Sequence, residues 1–207
     1  MGGCCGWPVR GLNVIDEFGW ASLNPNFEYD GDQSIALFPG YLSGNGTGTI
    51  ITLLPTTNLL PYPRTLTAPF PLIVDLQIRS LCVAGGNVAL NAMTFATDIG
   101  FSGDYFYVYF TYQNATGTYW VEIDGSANGT LFNEQIDTGI ALQADRQDNI
   151  KVVIGPGSLL VYLNGDFLFF QQGFNFSQIG YMDISIPYTA ANRQGMIGRT
   201  QVYTQAP

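Results

Sequence analysis

The stretch of residues 148–172 restricts the fold of this chain more than any other. It contains three apolar segments that are rich in β-branched and aromatic residues and too short for helices: 150–154, 159–163 and 167–171. A Gly-Pro-Gly-Ser sequence at 155–158 ends the first segment, because proline cannot donate to a ladder and glycine tolerates positive φ. Asn164-Gly165 separates the other two and is typical of a tight turn between antiparallel strands. The stretch therefore predicts three consecutive antiparallel strands.

Comparable apolar segments recur along the chain about every 8–12 residues, with turn-forming residues between them. In 72–83, apolar residues alternate with polar ones, so that every second side chain from Leu72 to Ile78 shares one face. Residues 105–112 are aromatic at nearly every position. Such a strand is either buried on both faces or packs one face on the core and presents the other as a tyrosine stripe.

These patterns predict an all-β fold, a single antiparallel β-sandwich of residues 14–207 preceded by a glycine-rich arm of residues 1–13. A chain of 207 residues with 46% hydrophobic residues can form one large core. The prolines in 55–71 indicate a crossover loop or an edge covering, because proline is excluded from central strands. Turn-forming residues predict loops or breaks at 21–34, 124–129 and 137–139.

The charge distribution excludes several classes of function. The net charge is −9, with one lysine, Lys151, and no histidine. Without a basic patch, we predict neither nucleic-acid binding nor docking on an anionic membrane. No apolar run reaches the length of a membrane span, so we also predict no membrane insertion. The absence of histidine excludes Ser-His-Asp and Cys-His catalysis and histidine metal sites.

The cysteines are Cys4, Cys5 and Cys82, and an odd number leaves at least one thiol unpaired within the chain. Cys4 and Cys5 are adjacent, and a bridge between them would be strained. Two alternatives remain. Either one of them forms a disulfide with Cys82 and pins the arm to the sandwich, or Cys82 is a buried free thiol and the adjacent pair is exposed.

Several features predict an exterior location. N-x-S/T glycosylation sequons lie in or beside predicted turns, at Asn45, Asn114, Asn128 and Asn175. Charged residues make up only 11% of the chain, against a usual share of about a quarter. No secretory signal is visible after Met1, so either a signal was removed before this numbering or the protein leaves the cell by another route, such as inside a virus particle. Release within a particle would reconcile the missing signal with the sequons. We therefore expect an extracellular or virion-surface location.

The pattern L-x-V-Y-x-N-G at residues 159–165 resembles the middle of a concanavalin A-like or laminin-G-like domain. Residues 16–27 resemble the entry strand and loop of such domains, and residues 180–203 resemble their closing strand. The resemblance implies a jelly-roll β-sandwich. That fold is shared by lectins, glycosidases, adhesion modules and structural proteins, so it defines function only loosely.

The resemblance also implies which carboxylates would carry out catalysis if the chain were a glycosidase. Glycosidases of the bacterial β-glucanase type carry a strand motif E-x-D-x-x-E, and Glu122-Ile123-Asp124 matches its first half. The third acid would fall on Ala127, and Gly125 suggests that the strand already turns there. Retaining hydrolysis needs a pair of carboxyl groups. From the broken motif we predict that the chain is not an enzyme.

Calcium is the ion that the resemblance implies, with Asp30, Asp32, Asp98, Asp104 and Asp183 as candidate ligands. None lies in a recognised loop motif, so we expect solvated turn aspartates and no cofactor, with bound calcium as the alternative.

Carbohydrate binding in such folds uses an aromatic ring beside Asn and Asp side chains. The candidate rings are Tyr107, Tyr109, Trp120 and Tyr162, each of which would otherwise belong to the core.

Two functions follow from these observations. The first is a non-catalytic structural or adhesion subunit on the outside of a virus particle or cell. It would self-associate as a homo-oligomer, or with other surface subunits, through its sandwich and N-terminal arm. The alternative is a lectin-type module with glycan partners.

Overall fold

The structure is a computed structural model. Every regular element among its described residues is a β-strand. The structure describes residues 13–16, 27–30, 35–38, 41–44, 51–55, 66–67, 71–82, 88–97, 101–141, 143–155, 157–174, 178–179, 181–186, 189–190 and 193–204. Among these residues there is no helix of the length and apolarity needed to cross a membrane.

The strands in chain order are β1 (Asn13–Asp16), β2 (Phe27–Asp30), β3 (Ile35–Phe38), β4 (Tyr41–Gly44), β5 (Ile51–Pro55), β6 (Leu66–Thr67), β7 (Leu72–Cys82), β8 (Val88–Ala96), β9 (Tyr105–Gln113), β10 (Thr118–Ala127), β11 (Thr130–Ala141), β12 (Arg146–Ile154), β13 (Ser158–Leu163), β14 (Asp166–Gln172), β15 (Gln178–Ile179), β16 (Tyr181–Ile186), β17 (Thr189–Ala190) and β18 (Arg193–Thr204).

Within the described part of the chain, these strands form two large sheets. One has nine strands in the order β14-β13-β12-β7-β18-β4-β3, with β1 and β17 also paired to β18. The other has seven strands in the order β11-β10-β9-β8-β16-β5-β2, and β6 pairs with β15 separately. Neighbouring strands are antiparallel throughout. The prediction of an antiparallel sandwich is confirmed.

The core lies between the two sheets, because every second side chain of their central strands points inward. The nine-stranded sheet contributes mainly aliphatic side chains, and the seven-stranded sheet contributes large aromatic ones. The principal members are Leu72, Val74, Leu76, Ile78, Ile150, Val152, Ile154, Leu159 and Val161 from the first sheet and Phe95, Phe106, Phe110, Tyr119, Val121 and Ile123 from the second. Alternation along β7 and β12 therefore sets which side chains are left for the outer surface.

The stretch around the Asn164-Gly165 turn folds as its sequence predicts. The strands β12, β13 and β14 are consecutive and antiparallel. Asn164 and Gly165 have φ angles of 54° and 91°, as a primed two-residue turn requires. Asn164 also ties this turn to the start of β12, because its Oδ1 accepts from the backbone N–H of Asn149 at 2.8 Å and its Nδ2 donates to Asp148 at 2.7 Å.

Three local predictions were wrong. The predicted loop 21–34 contains the strand β2, which pairs with β5. The predicted turn at 124–129 is confined to Asn128 and Gly129, because β10 continues through Gly125 to Ala127. The predicted break at 137–139 is an irregularity inside β11, where Thr118 pairs with Ala141 but Trp120 pairs with Asp137. Local turn residues signalled these positions, but pairing with a neighbour kept the strands continuous.

Other predictions fall on residues that the structure does not describe. Residues 1–12, with Cys4 and Cys5, lie outside the described residues, and only the backbone of Cys82 is described, at the end of β7. The arm and both disulfide alternatives therefore stay predictions. Most of 55–71 lies outside the described residues as well.

Candidate functional site

A row of aromatic side chains covers the outer surface of β9. Phe106, Val108 and Phe110 are buried, whereas the alternate residues Tyr105, Tyr107 and Tyr109 point away from the core and are partly exposed. This settles the two alternatives left open by the sequence in favour of a tyrosine stripe.

The rings of the stripe are in mutual contact. Tyr107 and Tyr109 stack at a centroid distance of 5.9 Å and an interplanar angle of 17°. Phe101, which precedes β9, also stacks with Tyr107, at 6.1 Å and 13°. Tyr105 meets Tyr107 edge to face at 5.6 Å. Three near-parallel rings therefore form a continuous aromatic row along the strand.

Two carboxylates and an indole from β10 lie on the same side as this row. In the antiparallel register Glu122 is opposite Tyr109 and Asp124 is opposite Tyr107, and directly opposed residues share a face. Trp120 lies two residues before Glu122 in the same strand and therefore on the same face, and all three side chains are partly exposed. We call the surface formed by Tyr105, Tyr107, Tyr109, Trp120, Glu122 and Asp124 the tyrosine face.

Hydrogen bonds hold the polar side of the tyrosine face in position. The carboxylate Oε1 of Glu122 accepts from Thr111 Oγ1 at 2.9 Å and from Gln113 Nε2 at 2.7 Å. The indole Nε1 of Trp120 donates to Thr116 Oγ1 at 3.0 Å and to Thr118 Oγ1 at 3.1 Å. These bonds restrict the rotamers of both side chains, and a surface fixed in this way loses little entropy on binding a ligand.

The tyrosine face unites three of the four predicted carbohydrate-binding aromatics, and the fourth lies elsewhere. Tyr162 belongs to β13 of the nine-stranded sheet and alternates with the buried Val161 and Leu163, so it points to the outer surface of that sheet. There it lines a cavity of about 360 Å³ with Asn149 and Lys151. Tyr162 therefore cannot join the other three candidates in one site, because β13 and β9 belong to different sheets, and carbohydrate binding by all four rings stays a prediction.

Of the five candidate calcium ligands, only Asp104 has a side chain that the structure describes. Among the residues that the structure describes, no three His, Cys, Asp or Glu side chains gather to hold a cation. Asp104 is buried, and its Oδ1 accepts from the backbone N–H of Asn128 at 2.7 Å, so it closes the β10–β11 turn. Asp32 and Asp98 lie outside the described residues, as do the side chains of Asp30 and Asp183.

Two of the predicted glycosylation sequons can be placed. Asn114 lies in the β9–β10 turn and Asn128 lies in the β10–β11 turn, and both residues are exposed. Asn45 and Asn175 lie outside the described residues. Modification of the exposed pair stays a prediction.

Solved structures of known proteins share this arrangement of sheets, whereas no protein-family model and no curated protein sequence matches the chain. The exoplasmic/lumenal domain of VIP36, in its Ca²⁺/Man-bound form, is 10% identical, with a TM-score of 0.65 over 95% of this chain and 91% of that chain. The Emp47p carbohydrate recognition domain is 11% identical, with a TM-score of 0.64 over 93% and 95%. The endo-β-1,3-glucanase from Pyrococcus furiosus is 10% identical, with a TM-score of 0.64 over 92% and 93%.

The chain has the concanavalin A-like jelly-roll fold. This confirms the resemblance seen in residues 159–165 and their flanks. At such low identity the likeness establishes the fold and nothing more.

The comparison corrects one prediction from the sequence. We predicted from the broken E-x-D-x-x-E pattern that the chain is not an enzyme, but β-glucanases share its fold. The fold therefore gives no ground for excluding catalysis, and that prediction is not retained. The structure also removes one reason for it, because the strand does not turn at Gly125 and both Glu122 and Asp124 reach the tyrosine face.

Sequence reasoning missed the residues that position this site. Thr111 and Gln113 carried no motif, and their contact with Glu122 depends on the register between β9 and β10. The useful signal was the strict alternation of tyrosines in 105–109, which already placed these rings on one face.

Proposed function

We propose that the tyrosine face binds a carbohydrate chain. The observation that carries the proposal is the row of near-parallel rings of Phe101, Tyr107 and Tyr109 beside the carboxylates of Glu122 and Asp124. Sugars present apolar C–H faces and a rim of hydroxyl groups, and a site for them needs aromatic surface next to hydrogen-bond acceptors. Carbohydrate recognition domains among the similar structures support this proposal.

Each part of the tyrosine face has a distinct role in this proposal. The rings supply apolar contact, and stacking with such a ring contributes about 0.5–1.5 kcal/mol beyond area burial, by analogy with aromatic pairs. The carboxylates accept hydrogen bonds from sugar hydroxyls, and charge-assisted bonds are stronger than neutral ones. Because Glu122 is already held by Thr111 and Gln113, its orientation is set before the ligand arrives.

Calorimetric titration with neutral tetrasaccharides tests the proposal. Laminaritetraose, cellotetraose and mannotetraose are each titrated into the wild type and into the double variant Tyr107→Ala/Tyr109→Ala. We expect at least one of them to bind the tyrosine face and to lose about fivefold or more in affinity in the double variant, since two stacking contacts are worth about 1–3 kcal/mol.

The matched control is Phe170→Ala, which removes an exposed aromatic ring from β14 on the other sheet. We expect its affinities to equal those of the wild type. If the Tyr107/Tyr109 variant binds every tetrasaccharide as tightly as the wild type does, the proposal is refuted.

A second candidate is hydrolysis of the bound chain, favoured by the position of two carboxylates beside the aromatic row. Glycoside hydrolysis needs such a pair, although the third acid of the family motif is replaced by the buried Ala127. The test is product analysis of the three tetrasaccharides after incubation with the wild type and with Glu122→Gln. Cleavage by the wild type that the variant lacks would establish catalysis, and intact sugars with both proteins would refute it.

The exterior location and the role as a surface or particle subunit also remain proposals. The exposed positions of Asn114 and Asn128 in tight turns support the first, because a glycan there would project into solvent. Expression through a secretory pathway should add glycan mass that is lost in Asn114→Gln/Asn128→Gln. An unchanged mass would contradict modification at these sites.

A further inference from the structure

We propose that the outer face of the nine-stranded sheet carries a second carbohydrate-binding site, separate from the tyrosine face. Two cavities, of about 280 and 360 Å³, lie on this surface and are both lined by Asn149. The first extends from Asn149 across the sheet to Gln77 and Arg199, and the second extends from Asn149 along β12 to Val153, with Tyr162 and Tyr203 in its lining. Together they form an elongated groove, which we call the Asn149 groove.

The groove lies on the side of the sheet that faces away from the core. Asn149 and Lys151 alternate along β12 with the buried Ile150 and Val152. In the register, Asn149 is opposite Gln77 and Lys151 is opposite Asp75, so these four side chains share one surface. Since the two sheets of a sandwich are about 10 Å apart, no short ligand can reach the Asn149 groove and the tyrosine face together.

Backbone pairing limits what can occupy the groove. The strands that form its floor, β13, β12, β7 and β18, each have a partner on both sides in the sheet. No row of unpaired backbone donors and acceptors is therefore available for adding a peptide strand. A ligand in this position must be recognised by side chains alone.

The side chains at the first end of the groove suit hydroxyl groups. Gln77 and Asn149 are amides, which both donate and accept hydrogen bonds. Asn149 Nδ2 donates to Asp75 Oδ1, and the other oxygen of Asp75 lies 3.6 Å from Lys151 Nζ. The charged residues that line the two cavities are the carboxylates Asp75 and Asp148 and the cations Lys151 and Arg199. Because these formal charges cancel, the groove favours an uncharged ligand, although the protein as a whole carries a net charge of −9.

The opposite end of the groove offers apolar surface. Tyr162 and Tyr203 line it together with Ile73 and Val153. Aromatic and aliphatic surface next to a cluster of amides is the combination that a neutral oligosaccharide requires, with C–H faces at one end and hydroxyls at the other. The inferred ligand is a neutral oligosaccharide of a few sugar units lying along the strands.

The groove is also fixed in shape by the turn that flanks it. Asn164 accepts from the backbone N–H of Asn149 and donates its own backbone N–H to the Asn149 carbonyl, both at 2.8 Å. The residue on which the two cavities meet is therefore held at both of its backbone groups, and the site exists before the ligand binds.

The test is the number of tetrasaccharide molecules bound per chain, with variants that separate the two surfaces. Laminaritetraose, cellotetraose and mannotetraose are titrated by calorimetry into Tyr107→Ala/Tyr109→Ala, in which the tyrosine face is disabled. We expect one equivalent of at least one sugar to remain bound. Adding Tyr203→Ala or, in a separate protein, Asn149→Ala should weaken this remaining binding by tenfold or more, and Phe170→Ala should leave it unchanged.

The outcomes distinguish this inference from the proposed function. Residual binding that the groove variants weaken supports the groove even if the tyrosine face binds nothing. It is overturned if no tetrasaccharide binds once the tyrosine face is disabled, or if Tyr203→Ala and Asn149→Ala both leave the residual binding unchanged. Tighter binding of tetragalacturonate than of any neutral tetrasaccharide would also contradict it, because the groove is inferred to select uncharged sugars.

Discussion

Replacing Asn164 by glycine should destabilise the sandwich by about 2 to 3 kcal/mol, although the backbone of the turn is left unstrained. Glycine adopts the φ of 54° freely, so the substitution removes the side chain, worth about 2 kcal/mol, and adds the extra backbone entropy of glycine, up to about 1 kcal/mol. That side chain donates to the buried carboxylate of Asp148 and accepts from the backbone of Asn149. A bond to a charged group is worth about 1.5–3 kcal/mol and a neutral one about 0.5–1.5 kcal/mol. Because Asn164 itself is exposed, we take the lower end of both ranges.

The Asn128-Gly129 turn supplies a matched control. Its φ angles of 51° and 76° resemble those of Asn164-Gly165, and Asn128 is exposed. Its backbone N–H binds Asp104, and within the described residues no hydrogen bond of its side chain is present. Asn128→Gly should therefore cost only the extra backbone entropy of glycine, up to about 1 kcal/mol. The difference between the two glycine variants isolates the two side-chain hydrogen bonds.

Equilibrium unfolding in urea gives the free energies for this comparison. A third variant, Asn164→Ala, should cost about 1 kcal/mol more than Asn164→Gly, because a residue with a Cβ resists positive φ. If Asn164→Gly and Asn128→Gly lose the same stability within about 0.5 kcal/mol, the side chain does not anchor the turn and the reasoning fails.

Two further predictions concern the packing and charge of the scaffold. Gly125→Ala should destabilise by about 3 kcal/mol in the same assay, since a Cβ there would lie 2.4 Å from the carbonyl oxygen of Tyr105 and 2.9 Å from Cα of Phe106; a loss below about 1 kcal/mol would show that β9 moves aside easily. Two hydrogen bonds from Arg79, at 2.7 and 2.6 Å, lower the pKa of Asp145 from its ordinary value of 3.8. Because the pKa of Asp145 is lower in the folded state than in the unfolded chain, the ionised carboxylate stabilises the fold at pH values above 3.8, and this stabilisation is lost as the pH falls. At pH 7, Asp145→Asn should therefore cost at most about 1 kcal/mol. This difference from the wild type should shrink as the pH falls below 3.8; a difference that stays the same from pH 7 into acid would contradict the assignment.

The sequence predicted the sandwich well where strand and turn signals agree. The alternation in 72–83 and the Asn164-Gly165 turn each act locally, because side-chain period and turn chemistry are properties of neighbouring residues. The prediction was wrong at 124–129 and 137–139, where glycine and aspartate suggested a turn. There the ladder between β10 and β11 continues, with Gly125 in the strand and an irregular register opposite Thr118.

The site depended more on register than on residue type. Alternation placed Tyr107 and Tyr109 on one face, but the approach of Glu122 to them is set by which residue of β10 pairs with which residue of β9. Tyr162 is also a tyrosine in a predicted strand, like Tyr107 and Tyr109, yet its strand belongs to the other sheet. The Asn149 groove joins side chains from strands that are distant in sequence, so no local pattern marked it.

The central claim is that a sugar chain lies on the stacked rings of the tyrosine face. Its most direct test is the measurement of intermolecular NOEs between the protein and bound laminaritetraose, cellotetraose or mannotetraose. We predict contacts from sugar ring protons to the aromatic protons of Tyr107 and Tyr109, which disappear in Tyr107→Ala/Tyr109→Ala. The claim would be contradicted if a bound sugar made all its contacts outside the tyrosine face, or if none of the three tetrasaccharides bound.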